Sequence, residues 1–169
     1  LTMADFIHDH HIVAGLYPVA DCFAGGKSTD IINMENYGRA TFVILTGAIE
    51  DSGISNIFTV DACDDASASN TSAMAFTHRT CLSSATVDTW GAQTAAAATG
   101  YNLTDNAAVA NAMHIVEVNA EDVSADGGNG YGFVRLTIAE TANKTITAAV
   151  ICILSDPRYP QEVPVSAIA

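Results

Sequence analysis

The sequence predicts an all-β protein, an antiparallel β-sandwich or barrel-like domain of about eight strands with minimal helix. Three observations carry that expectation. Apolar and polar residues alternate over runs of strand length, most clearly from Tyr131 to Ala139, where Val134, Leu136 and Ile138 share one face and Tyr131, Phe133, Arg135 and Thr137 the other. Clusters of Gly, Asp, Asn, Ser and Pro recur at short intervals between such runs. Helical signals are confined to short stretches.

Taken in order, Leu1 to His11 reads as a short polar arm without a pattern. Ile12 to Ala20 is apolar and extended but interrupted by Gly15 and Pro18, which fits an edge strand. Ala24-Gly25-Gly26-Lys27-Ser28 ends like a phosphate loop. Asp21 stands where that loop needs its first glycine, and no strand-to-helix transition follows, so nucleotide binding is not expected. Ile31 and Ile32 open a short strand, and Asn33 to Arg39 forms a turn around Gly38. Ala40 to Ile49 is apolar on both faces and reads as a central strand, closed by the turn residues Glu50-Asp51-Ser52-Gly53.

Ser55 to Cys63, the polar loop from Asp64 to Ser72 and the strand Ala73 to Leu82 read as an antiparallel hairpin. Val87 to Thr94 is strand-like and holds Trp90, the only tryptophan; Ala95 to Thr99 could begin a helical turn. Asp105 to Ala112 is the best short helix, with Asp105 as its cap. Met113 to Ala120 resumes as a strand, and Glu121 to Gly130 includes a loop that draws on glycine's positive-φ freedom. Tyr131 to Ala139, the turn Ala142-Asn143-Lys144 and the strand Thr145 to Leu154 read as a closing hairpin.

In that last strand the even-numbered side chains, Ile146 to Leu154, are all apolar. The odd face begins with Thr145 and Thr147 and turns apolar at Ala149, Ile151 and Ile153, so the strand should enter the sheet at its edge and finish buried on both faces. Pro157 and Pro160 should stop it near Ser155. The extended tail that follows has no core of its own and must lie on the parent domain or on another subunit. The expected organisation is an arm over 1–11, a β-sandwich domain over 12–156 and an extended tail over 157–169.

Length and charge exclude several classes. The 169 residues suit one domain with a real core, and 49% apolar with 15% charged residues excludes general disorder. No apolar run approaches the roughly eighteen residues of a membrane span, and the N-terminus lacks a signal-peptide pattern, so the reading is a soluble protein made in a cytoplasm. Nineteen acidic against six basic residues give a net charge of −13, which phosphate backbones repel. Nucleic acid and membrane are therefore not expected partners.

Few residues suggest chemistry. His8, His10 and His11 lie close to Asp5 and Asp9, but nothing downstream completes a metal-ligand set, and Asp61, Asp64 and Asp65 lack the spacing of a calcium loop. Cys22, Cys63, Cys81 and Cys152 are too scattered for a zinc or redox motif and read as buried free thiols, with Cys63 and Cys81 the pair to test for a bridge. The sequons at Asn70, Asn102 and Asn143 lack a secretion signal to give them meaning. No Gly-X-Ser-X-Gly nucleophile elbow occurs. His78 and His114 fall within strands as hydrogen-bonded structural histidines, and Arg79 and Arg135 should each pair with a carboxylate. No enzyme activity and no cofactor are expected.

The run Ile151-Cys152-Ile153-Leu154-Ser155-Asp156-Pro157-Arg158-Tyr159-Pro160, with Pro164-Val165-Ser166-Ala167-Ile168 after it, resembles the C-terminal signature of small tailed-phage virion proteins. Members of that family close with a strand, Leu-Ser-Asp-X-Arg-Tyr, a Pro-containing tail and Ser-Ala-Ile. The Asp-rich central loop followed by Ala-Met-Ala-Phe-Thr is similar too, as is Gly132-Phe133-Val134-Arg135-Leu136; only the His-rich arm departs from the pattern. The resemblance implies a decoration or cement protein on the outside of an HK97-like capsid, synthesised in the host cytoplasm, with the major capsid protein as partner and a homo-oligomeric state. Arg158, Tyr159, Pro160, Pro164 and Ile168 are the expected interface residues, Arg and Tyr being frequent anchors in interfaces. The rival classes are a phage tail or glycan-binding receptor module and a carbohydrate-active enzyme.

Overall fold

The computed structural model describes residues 6–49, 53–81, 88–104, 110–126, 130–159 and 164–168. Twelve strands and two short helices run through them: α1 (Phe6–Asp9), β1 (His11–Val19), β2 (Lys27–Ser28), β3 (Ile32–Asn33), β4 (Tyr37–Ile49), β5 (Ser55–Cys63), β6 (Thr71–Met74), β7 (Phe76–Cys81), β8 (Thr94–Ala96), β9 (Tyr101–Thr104), β10 (Met113–Asn119), α2 (Ala120–Asp126), β11 (Phe133–Ala142) and β12 (Ile146–Pro157). The long strands follow the alternating runs. The excess over about eight comes from pieces of two to four residues, too short to show a period.

All pairing is antiparallel and divides into two sheets. The first has the order β1-β12-β4-β10-β7-β8; the second runs β2-β11-β5-β6, with β3 also on β11 and β9 also on β5. Even-numbered residues of β4, β10 and β12 and of β5 and β11 turn inward, and the two inner faces meet at Phe42, Ile44, Val150 and Leu154 on one side and Phe58, Val60, Leu136 and Ile138 on the other, each with essentially no exposure. Phe23, from the loop after β1, sets its ring edge-on to Phe58 at 5.7 Å, a geometry that adds to the area both rings bury.

Several local expectations are corrected by how the strands are distributed. β11 and β12 are not a hairpin: β11 pairs with β5, β2 and β3, whereas β12 pairs with β1 and β4. Both carry a large apolar inner face, and the turn between them places those faces across the sandwich from each other. Over its described residues the predicted strand Ala73 to Leu82 is two strands, β6 in the second sheet and β7 in the first, parted at Ala75, and Leu82 lies outside the described residues. Cys63 and Cys81 thus sit in different sheets, and all four cysteines are free and buried. Trp90 lies in irregular chain, and the alanine run begins as β8 instead of a helical turn, because pairing with β7 supplies the backbone partners that so short a helix would lack. The glycine-loop region opens with α2, whose Val123 is buried against the core. Of the predicted helix from Asp105, residues 105–109 lie outside the described residues, and Ala110 to Ala112 are not helical.

β12 is not an edge strand, and it is not buried on both faces. It lies between β1, which is the expected edge, and β4, and its burial alternates along its length, with Ile151 39% exposed. β4 behaves in the same way: Phe42 and Ile44 are sealed, but Leu45 is 50% exposed. The outer face of the first sheet is therefore apolar and open.

Candidate functional site

Of the predicted interface residues, Arg158 and Tyr159 fall at the C-terminal corner. β12 continues past the expected stop to Pro157, which pairs with Tyr37 although it has no N–H to give. The chain passes this point with Asp156 at φ +55° over Gly38, where a Cβ would come within 2.9 Å of the Asp156 Cβ, so the approach requires glycine. The next amide, Arg158 N–H, donates to the Asn36 carbonyl at 2.9 Å. The backbone is thus pinned up to Arg158, while the Arg158 side chain and Tyr159, 70% exposed, point out from the corner.

Arg158 also borders a cleft of about 370 Å³ with Asn33, Glu35, Asp64 and Tyr131 along its wall. The Asp64 carboxylate is held below its usual range by the side-chain and backbone hydrogen bonds from Asn70, at 2.6 and 2.9 Å. The tail returns to the segment Ile32–Asn33: Asn33 N–H donates to the Ala167 carbonyl at 2.8 Å, Ile168 bridges Ile32, and Ala167 is buried. The tail therefore lies on its own domain at Ala167, with Ile168 still 41% exposed and Pro164 half-buried. The segment 32–35 thus lies next to both Arg158 and Ile168, sharing the cleft with Arg158 and the bridge with Ile168. Pro160 lies outside the described residues. Asp156 contributes little to fastening the tail, since its carboxylate is 3.9 Å from Arg39 and both side chains are about half exposed or more.

The other motifs resolve into internal contacts. In the Gly-Gly-Lys-Ser run, Gly25 N–H donates to the Glu140 carboxylate at 2.8 Å, so an acid of the same chain takes the place a phosphate would need, and strand β2 follows instead of a helix. Asp61 accepts from Arg135 and Thr137 at 3.1 and 2.9 Å, while Asp65 caps Ser67 and Ser69, so the acidic loop is spent on its own geometry. His10 stacks on Phe6 and His11 meets the Tyr37 hydroxyl at 3.1 Å, which separates the histidine cluster; Asp5 lies outside the described residues. Among the described residues no three His, Cys, Asp or Glu side chains are grouped to hold a metal ion.

Arg135 pairs with a carboxylate as expected, but Arg79 gives its guanidinium to the Gly91 carbonyl at 3.3 Å. His78 and His114 lie in strands β7 and β10 as expected, but three of their ring nitrogens are buried without a hydrogen-bond partner among the described residues. His114 is 1% exposed, and neither of its ring nitrogens meets a partner among the described residues; His78 stacks on Tyr101 at 4.1 Å with its Nδ1 unpaired. Burial, and secondarily the neighbouring His78, pushes the His114 pKa down to about 4.

Neither a family model nor a curated protein matches the chain. Among solved structures, the crystal structure of the SPBc2 prophage-derived protein YomS is similar, at 11% identity and a TM-score of 0.42, over 88% of this chain and 94% of that one. No helix among the described residues is long and apolar enough to cross a membrane.

Proposed function

We propose that the protein is a structural component of a tailed-phage virion, a decoration or cement protein that binds the outer surface of an HK97-like head and braces joints between major capsid subunits. The observation that carries this reading is the corner itself: an exposed Arg-Tyr pair held out by a backbone that the neighbouring strand and turn already fix. Pre-set anchors of this type lose little freedom on binding, and Arg and Tyr are frequent hot-spot residues. The family resemblance of the C-terminal run supports the same role. A β-sandwich with a net charge of −13 suits an outer surface, away from packaged DNA. Many copies on one shell would let modest contacts act together.

Purified protein mixed with undecorated shells and imaged is the direct test. The double variant Arg158→Ala/Tyr159→Ala should keep its fold and lose roughly a hundredfold or more in shell affinity, the size expected for two hot-spot residues. Unaltered shell binding by the folded double variant, or no binding by the wild type, would refute the assignment.

A further inference from the structure

We propose that the open outer face of the β1-β12-β4-β10 sheet is the contact between two copies of this chain. The strand register builds one apolar surface there. Ile151 lies beside Val43, and Val43 beside Ile115. One row along, Ile153 lies beside Ile12 on the edge strand, and Leu45 extends the surface in the other direction. Ile12, Leu45 and Ile151 are 45%, 50% and 39% exposed, and Val43, Ile115 and Ile153 are half-buried, so the surface is continuous and not a scatter of lone side chains.

Charge and size point to a second copy as the occupant. The chain holds nineteen acids, yet the outward residues of β1, β12, β4 and β10 include one carboxylate, Glu117, and one guanidinium, Arg39; at the rim Asp156, 3.9 Å from Arg39, and Arg79 on the adjoining β7 add one of each. Two cations and two anions leave the face neutral. A contact between identical surfaces needs self-complementary charge, whereas a basic partner would be drawn to the acidic remainder of the molecule. Four strands about 4.8 Å apart and about nine residues long at about 3.4 Å each cover roughly 580 Å² per copy before side-chain relief, which brings a face-to-face pair to roughly 1,200 Å² in total, the lower bound of a specific interface. Two sheets stacked in this way would repeat the packing already present inside each sandwich.

Sedimentation velocity of the full chain, from low to high micromolar concentration and without shells, tests the proposal independently of capsid binding. The wild type should sediment as a dimer. Leu45→Lys and Ile151→Lys should each weaken association at least about thirtyfold, as for loss of a hot spot. Both lower the net negative charge, so weaker association could not come from added overall repulsion between the acidic copies and would report on the face itself. Circular dichroism should show both variants folded, because each position is already open to solvent. Ala139→Glu, exposed on β11 in the other sheet, should leave the dimer intact. A wild-type monomer at every concentration, or a dimer that persists in both lysine variants, overturns the proposal. So does a monomer whose shell binding is abolished by Leu45→Lys, which would assign the face to the capsid.

Discussion

Replacing Gly100 with alanine should destabilise the protein by about 3 kcal/mol or more, through a forced backbone shift on top of an unfavourable dihedral. Gly100 closes the turn into β9 at φ +97°, its amide donating to the Ala97 carbonyl at 2.9 Å. A Cβ there would stand 2.5 Å from the Phe58 carbonyl oxygen and 2.8 Å from methyl groups of both Ile57 and Thr59. The nearest obstacle is the backbone of an interior strand, which cannot swing aside as a side-chain tip could, and the two methyls belong to β-branched side chains with little rotamer freedom. Displacing it would also lift Tyr101 from its stack on Phe58 and His78. Gly130→Ala is the matched control, since Gly130 has φ +71° with nothing within 4 Å of the added Cβ, and should cost only about 1 kcal/mol. Urea unfolding of the two variants measures the difference; equal midpoints would show that crowding at Gly100 is unimportant.

Stability should also fall by about 3 kcal/mol as the pH is lowered from 6.5 to about 4, because of His114. Its folded pKa lies below the ordinary 6.5 of the unfolded chain, so in this window the unfolded state binds the proton more readily. The contribution is fully present above pH 6.5, declines as the pH falls and is exhausted near pH 4, below which both states are protonated. Asp64, held below its usual range, acts at more acidic pH, whereas His11 and His78, also lowered by burial, cost stability in the same direction within this window. The chain's net −13 also relaxes on acidification, so the informative quantity is the difference between the wild type and His114→Leu. Unfolding free energies at pH 7 and pH 4.5 should show the wild type losing stability relative to the leucine variant. Parallel pH profiles would mean that burial does not disfavour the charged imidazole.

Much of the fold was legible because strand alternation is a local property. Val134, Leu136 and Ile138 had to share a face whatever the rest of the chain did, and β5 matches its predicted span residue for residue. The C-terminal corner was legible in part: Arg158 and Tyr159 stood out by residue type, but the fixing of their backbone by Asn36 and Gly38 involves residues some 120 positions earlier. The outer face of the first sheet left a sequence signal that pointed the wrong way. Apolar residues on both sides of β12 suggested a strand that finishes covered twice, whereas among the described residues one layer covers it.

By itself the sequence determined that this is an all-β chain with strongly acidic character, a core from alternating strands and a proline-punctuated end, since these depend on residue type and spacing alone. Which sheet each strand joins was decided by the tertiary structure. A turn such as Ala142-Asn143-Lys144 looks the same locally whether it folds a strand back in its own sheet or carries it across to the other. Burying two large inner faces against each other, β11 over the β12 sheet, made the second course the one adopted, and left Ile151 and Leu45 facing outward.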